Sequence, residues 1–82
     1  MYAVVFTYSF DTDAACYLHT DLEDAKKHLR EAYETELKEQ EANEYLSCDG
    51  YIDEDGLYAS IATAGRDGIE DMMYIHLASV YN

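Results

Sequence analysis

One segment of this chain has the periodicity of an α-helix, and alternating segments flank it on both sides. Between residues 20 and 43, apolar residues recur every three or four positions. They are Leu22, Ala25, Leu29, Ala32, Tyr33 and Leu37. Thr20 and Glu23 have the spacing of a capping box at the start of this helix. No Gly or Pro marks its end, so we place the end near residues 41–43, with Asn43 as the C-cap candidate.

β-Branched and aromatic residues dominate the flanking segments, and such residues favour strands. Residues 2–10 form the clearest strand, because alternation places large side chains on one face and small ones on the other. The large ones are Tyr2, Val4, Phe6, Tyr8 and Phe10. Further strands are predicted at residues 16–19, 51–52, 57–63 and 72–81. The steps Asp49-Gly50 and Asp55-Gly56 are typical of turns, and the second predicts a hairpin.

The resulting order, ββαβββ, predicts an α+β fold of two layers. The helix covers one face of an antiparallel sheet and the other face is left uncovered. A chain of 82 residues makes one domain, which we assign to residues 1–82. The longest strictly apolar run, residues 3–6, is too short to cross a membrane or to form a signal-peptide core. We therefore expect a cytoplasmic protein. Cys16 and Cys48 would then remain thiols that act as small buried hydrophobic residues.

The net charge of the chain is -13, because 18 Asp and Glu residues face 5 Lys and Arg residues. Hydrophobic residues make up 49% of the chain, so this charge belongs to a folded body rather than to a disordered tail. It makes direct binding to DNA or RNA very unfavourable. The spacings Glu23–Lys27 and Glu34–Lys38 predict ion pairs along the helix. Unpaired acids gather from Glu34 through Asp55, with a smaller group at residues 67–71.

No motif in the sequence is specific for catalysis or for a cofactor. The acidic stretch at residues 49–56 resembles a calcium loop, but Tyr51 and Ala62 stand where an EF-hand needs its first and last ligands. Turn chemistry explains its Asp and Gly residues without a metal. A zinc site is a weaker alternative, because its possible ligands do not have the spacing of a known zinc motif. Those ligands are Cys16, His19, Cys48 and His76. We predict a protein that is not an enzyme and needs no cofactor or metal.

The unpaired acids are candidate contacts for a positively charged partner. Carboxylates along a helix and its flanking loops can imitate the phosphates of a nucleic acid, and interleaved tyrosines can anchor the contact. Those tyrosines are Tyr45, Tyr51, Tyr58 and Tyr74. The predicted partner-binding residues are Glu36, Glu39, Glu41, Glu44, Tyr45, Asp49, Tyr51, Asp53, Glu54 and Asp55. One interpretation of this pattern is an inhibitor that occupies the basic groove of a nucleic-acid-processing protein.

The alternative is a homo-oligomeric structural or regulatory module whose acidity serves solubility. In that case the tyrosine-rich face of the sheet, or an edge strand, would make a homodimer.

The stretches YAVVFTYSFDTDAA at residues 2–15 and GYIDEDGLYA at residues 50–59 flank a helix of the form DLEDAKKHLREAYE. Together they resemble a family of short bacterial and mobile-element proteins that has no assigned activity. In size, acidity and its single α+β domain, the chain also resembles phage-encoded inhibitors, including anti-CRISPR proteins, several of which act as DNA mimics. This likeness implies a basic groove as the target, such as the one in which a Cas nuclease reads its PAM through arginines.

Overall fold

The computed structural model describes residues 1–9, 13–43, 47–65, 68 and 70–80. Within them the chain forms one five-stranded antiparallel sheet and one helix, in the predicted order ββαβββ. The elements are β1 (Tyr2–Tyr8), β2 (Ala15–His19), α1 (Leu22–Glu41), β3 (Ser47–Ile52), β4 (Tyr58–Ala64) and β5 (Glu70–Ser79). The order of strands across the sheet is β2-β1-β5-β4-β3. The prediction of an α+β fold is confirmed.

The core lies between α1 and one face of the sheet. It is built from side chains that alternate along the three central strands and recur along the helix. Its buried members are Val4, Phe6, Ala25, Leu29, Ala59, Ile61, Met73 and Ile75. The apolar stripe predicted for the helix faces this core, with Ala32, Tyr33 and Leu37 half-buried at its margin. The opposite face of the sheet, which we call the open face, does not contribute to this cluster.

The largest error in the predicted strand bounds concerns β3, which begins at Ser47 rather than at residue 51. Ser47 pairs with Ala64 and Asp49 pairs with Ala62, so the ladder with β4 compensates for the low strand propensity of Ser, Asp and Gly. The final strand covers Glu70–Ser79 rather than residues 72–81. The predicted strand ends at Phe10 and Tyr81 lie outside the described residues.

The capping box predicted for the start of α1 is wrong. Asp21, not Thr20, is the N-cap, and its Oδ1 accepts a hydrogen bond from the backbone N of Glu23 at 2.8 Å. Its extended backbone conformation places the carboxylate over the free amides of the first turn. The helix ends at Glu41 within the predicted range, but Ala42 rather than Asn43 is the C-cap.

The predicted ion pairs of the helix are also not formed as expected. Lys27 Nζ lies 3.9 Å from Glu31 Oε1 instead of pairing with Glu23, and both side chains are largely exposed. An exposed pair at this distance contributes little to stability.

Gly50 lies inside β3, so the expectation that the Asp49-Gly50 step forms a turn is wrong. An added Cβ at Gly50 would lie 2.5 Å from the Tyr33 hydroxyl and 2.9 Å from Leu37 Cδ1. The side chains of Tyr33 and Leu37 on the helix thus occupy the space that a side chain at this position would need. By contrast, Gly56 lies in a turn with a φ of 71°, as its Asp-Gly step predicts.

Candidate partner-binding surface

The structure distributes the predicted partner-binding residues over three places. Glu36, Glu39 and Glu41 lie in the last part of α1, Asp49 and Tyr51 on β3, and Asp53, Glu54 and Asp55 in the turn between β3 and β4. Glu44 and Tyr45 are outside the described residues. Cys48 lies near the end of the helix, where Glu41 acts on its thiol. The rise per residue of a strand places Asp53 about 16 Å along the chain from Cys48. The acids therefore cover two ends of one edge of the molecule rather than a single cluster.

The helix acids differ in how available they are. Glu39 and Glu41 are exposed, whereas Glu36 is half-buried and accepts a hydrogen bond from Gln40 Nε2 at 2.9 Å. Glu36 and Gln40 line a cleft of about 280 Å³ between the helix and the sheet, beside Met72. Of these three acids, Glu39 and Glu41 are therefore the ones that can meet a partner without rearrangement.

Cys48 lies on the helix side of β3, near Glu41. Burial raises the pKa of the Cys48 thiol, and the carboxylates of Glu41 and Asp49 raise it further. Burial also raises the pKa of the Tyr33 hydroxyl, with Glu41 as the largest of the neighbouring charges. Both groups stay uncharged at neutral pH, so the negative charge in this region belongs to the carboxylates.

The Asp53 side chain stabilises the turn through hydrogen bonds. Its Oδ1 accepts hydrogen bonds from the backbone N of Leu57 at 2.8 Å and of Tyr58 at 3.3 Å. Its backbone N also donates to Tyr58 O at 3.0 Å. Glu54 and Asp55, at the tip of the same turn, are exposed. The turn therefore contains one acid that shapes the loop and two that project from it.

We expect Asp53→Ala to lower the free energy of unfolding by about 1–2 kcal/mol, because the amides of Leu57 and Tyr58 lose their side-chain acceptor. Asp53→Asn keeps an acceptor oxygen and is expected to lose less than half as much. Urea denaturation of the two variants beside the native protein measures both losses. Equal losses would contradict a hydrogen-bonding role for the Asp53 side chain.

The open face of the sheet carries few charges. Residues opposite one another in the ladders share a face, and the rows Cys16–Val5–His76–Tyr58 and Thr7–Tyr74–Ser60–Tyr51 cross its centre. By the same registers, its carboxylates are Asp49 and Glu70, both toward one end. Leu18 and Tyr51 on this face are 59% and 55% exposed. Although the chain has 18 acidic residues, few of those that the structure describes lie on this broad surface.

Four aromatic rings are grouped on the open face, and we call them the ring platform: Tyr51, Tyr58, Tyr74 and His76. The ring centroids of Tyr58 lie 6.2 Å from Tyr51, 6.4 Å from Tyr74 and 4.9 Å from His76. Those of Tyr74 and His76 are 6.3 Å apart, with an angle of 30° between the rings. Three of the four predicted tyrosine anchors are thus brought together. Sequence reasoning missed His76, although its two-residue spacing from Tyr74 in a strand would have placed it beside them.

A second aromatic group lies on the helix side, at the edge of the sheet. His19 Nε2 and His28 Nδ1 are 2.8 Å apart, and the rings of Tyr17 and Phe6 pack against His28. Such a hydrogen bond needs one ring to donate and the other to accept, so it cannot form when both rings are charged. Burial lowers the pKa of His28 and His19 lowers it further, whereas Glu31 opposes them.

This pair predicts a pH dependence of stability. Because the pKa of His28 is lower in the folded state than its ordinary value of 6.5, the unfolded chain binds more protons, and stability falls as pH falls through about 6.5. We expect the stability advantage of the native protein over His28→Gln to shrink between pH 7.5 and pH 5.5. Titrating carboxylates affect both proteins alike and cancel in the difference. Denaturation at both pH values measures it, and an advantage that grows on acidification would contradict the assignment.

The two cysteines lie far apart. Cys16 is on β2 and Cys48 on β3, the opposite edges of the sheet, which four strand spacings separate by about 19 Å. Cys16 is exposed on the open face and Cys48 is half-buried on the helix side, so the prediction that both are buried is wrong. The possible zinc ligands Cys16, His19, Cys48 and His76 therefore do not converge. Among the described residues, no group of three or more His, Cys, Asp or Glu side chains is arranged to hold a metal ion.

Comparison of the chain with protein-family models, curated proteins and solved structures gives no significant match. The part of the chain that the structure describes contains no helix with the length and apolar character needed to cross a membrane.

Proposed function

We propose that this protein is a non-enzymatic inhibitor that binds the basic groove of a nucleic-acid-processing protein in place of a nucleic acid. The supporting observation is unneutralised surface charge. Between described residues, one ion pair, Lys27–Glu31, lies within 4.0 Å, and its length is 3.9 Å. The chain as a whole carries a net charge of -13. Charge of this density attracts cationic surfaces and accelerates the encounter with them.

Exposed acids place part of this charge near the two ends of the β3 edge. Glu39 and Glu41 project from the helix, and Glu54 and Asp55 project from the turn. The stretch of chain from Cys48 to Asp53, about 16 Å long by strand rise, has the length of several phosphates of a nucleic-acid strand, which carries one phosphate per roughly 3.4 Å of helix axis. The arrangement therefore offers carboxylates at both ends of a strand-length stretch of surface.

The resemblance in size, acidity and single α+β domain to small phage-encoded inhibitors points in the same direction. A CRISPR nuclease is the target class that it suggests, since such enzymes read their PAM through arginines in a basic groove. The proposal places the protein in the cytoplasm of a bacterial cell or of a phage-infected host. Neither a cofactor nor direct contact with nucleic acid or membrane is part of it.

Affinity capture tests this proposal. The immobilised protein is exposed to a bacterial lysate at low salt and eluted at high salt, and the eluted proteins are identified. Raising ionic strength from 0.1 M to 1 M shortens the Debye length from about 10 Å to about 3 Å, so the partner is expected to elute in this step. Recovery of a basic nucleic-acid enzyme supports the proposal. A partner that stays bound at high salt and has no basic groove would contradict it.

A second candidate function is a homo-oligomeric structural or regulatory module, and the open face favours it. This face is aromatic, largely uncharged and free of helix contacts, which are properties of a self-association surface. Two copies stacked on it would keep most of their acids at the rim. Sedimentation equilibrium distinguishes the two functions, because the module predicts a stable dimer at micromolar concentration and the inhibitor predicts a monomer.

A further inference from the structure

The ring platform of Tyr51, Tyr58, Tyr74 and His76 is the feature of the molecule that solubility does not explain. Tyr51 is 55% exposed, and Tyr58 and Tyr74 are half-buried beside it with their rings in mutual contact. An acidic chain that needed only to stay soluble would place charged residues on an open sheet face. Exposed apolar patches bounded by polar residues usually mark interaction sites. The platform is therefore a candidate binding site.

Charge complementarity decides which occupant fits. Asp49 lies two residues from Tyr51 on the same face of β3, and the exposed Glu54 and Asp55 follow in the turn. A second copy stacked on this face would bring its own Asp49 and Glu70 to it, and the phosphates of a nucleic acid would be repelled by the net charge of -13. A cationic partner is attracted by both the carboxylates and the rings, since the face of an aromatic ring is electronegative.

The geometry of the rings favours arginine over lysine. Tyr74 and His76 are stacked at 30°, and Tyr58 contacts both, so the platform offers adjoining flat surfaces. A guanidinium group is planar and weakly hydrated, and it stacks on aromatic faces while donating hydrogen bonds from its edge. Asp49, two residues from Tyr51 on the same face, provides a carboxylate acceptor beside the platform, and Glu54 and Asp55 are exposed in the turn that precedes Tyr58. A lysine ammonium is strongly hydrated and cannot stack in this way.

We infer that the ring platform is the docking centre of this protein and that it takes arginine side chains from a basic protein partner. This inference rests on the proposed function, because it assumes that the partner is basic. It assigns the selection of arginine to the rings and the long-range attraction to the carboxylates. The contact is then a desolvated aromatic centre with an acidic margin, as in other protein interfaces whose anchors lie inside a polar rim.

A ten-residue arginine peptide and a ten-residue lysine peptide test the inference. Both carry the same charge, so a difference in their affinities reports stacking rather than attraction. We expect the native protein to bind the arginine peptide about five- to twentyfold more tightly, from two or more ring contacts. In Tyr51→Leu/Tyr58→Leu, this preference is expected to fall below about twofold, while binding of the lysine peptide stays nearly unchanged.

Two further variants keep the test interpretable. Tyr51→Leu alone changes an exposed residue that does not belong to the core. This single variant can therefore still be measured if the double variant fails to fold. Tyr17→Leu is the matched control, because Tyr17 is 52% exposed but lies on the helix side of the sheet, in contact with Phe6 and His28. The control is expected to keep the preference for arginine. Tyrosine ring resonances in NMR spectra should shift for Tyr51, Tyr58 and Tyr74, but not for Tyr17.

Each contrary outcome has a distinct meaning. Equal affinity for the two peptides, or a preference for arginine that survives Tyr51→Leu/Tyr58→Leu, overturns the inference. The proposed function still stands in that case if Glu54→Lys/Asp55→Lys weakens the binding of both peptides. A dimer that dissociates in Tyr51→Leu also overturns it, because a second copy then covers the platform. Peptide binding that ignores both salt and the Glu54 and Asp55 reversals overturns the proposed function itself.

Discussion

Replacing Gly50 by alanine is expected to lower the free energy of unfolding by about 1–3 kcal/mol, although alanine is only one methyl group larger. That methyl group would lie 2.5 Å from the Tyr33 hydroxyl and 2.9 Å from Leu37 Cδ1, so both side chains would have to shift. Both side chains belong to the margin of the core, so their displacement disturbs the packing between the helix and the sheet. Urea denaturation followed by circular dichroism measures the loss.

Two companion variants identify the cause. Tyr33→Phe removes the nearest atom, so Tyr33→Phe/Gly50→Ala is expected to recover part of the loss, while the Leu37 contact keeps the recovery incomplete. Gly56→Ala is the contrasting control, because its added methyl group meets nothing within 4 Å and acts only through the φ of 71°. A Gly50→Ala variant as stable as the native protein would show that the Tyr33 and Leu37 side chains can shift without penalty.

Reversing the two exposed acids of the turn is expected to weaken partner binding about tenfold or more at low salt. Glu54→Lys/Asp55→Lys replaces two attractive contacts by repulsive ones, and surface pairs of this kind contribute up to about 1 kcal/mol each. Asp53 is left unchanged, because its carboxylate holds the turn through the amides of Leu57 and Tyr58. Isothermal titration with the captured partner at two ionic strengths measures the effect, which should diminish at high salt.

The matched control is Glu31→Lys/Glu34→Lys, which changes net charge by the same amount in the middle of the helix. Both residues are exposed, and the Lys27–Glu31 pair that is lost is long and weak. If binding responds to net charge alone, the two double variants weaken it equally. If the turn belongs to the contact surface, the turn variant weakens it several times more. Binding that neither variant changes would contradict an electrostatic role for either region.

The parts of the fold that follow one side-chain period were predictable from the sequence. The stripe from Leu22 to Leu37 predicted α1 and its buried side, and alternation in residues 2–8 predicted that the large side chains share one face of β1, which is the face that meets the core. Both patterns report burial directly, since the period of the apolar residues is the period of the element. The same reasoning left one sheet face uncovered, and that face is the one that carries the ring platform.

The features that were missed depend on partners distant in the chain. Ser47–Gly50 has poor strand propensity and becomes part of β3 because β4 pairs with it. The His19–His28 contact joins a strand to a helix, and no local spacing encodes it. Asp21 and Thr20 are both good N-caps, and the backbone conformation at Asp21 decides between them.

The candidate site was predictable in its chemistry but not in its arrangement. The surplus of acids between Glu34 and Asp55 is a property of composition, so counting finds it. Its division between the helix end and the turn, and the structural use of Asp53, follow from how β3 runs between them. The convergence of Tyr51, Tyr58 and Tyr74 needed the registers of three strands, which short loops and turns specify only in part.

Competition with duplex DNA tests the central claim most directly. The captured partner is bound to a fluorescently labelled duplex that it recognises, and the acidic protein is titrated in while the anisotropy of the duplex is followed. Mimicry predicts full displacement, with an apparent affinity of the protein that weakens in proportion to the concentration of duplex. If the duplex stays bound while the acidic protein joins a ternary complex, the protein does not occupy the nucleic-acid groove and the account is wrong.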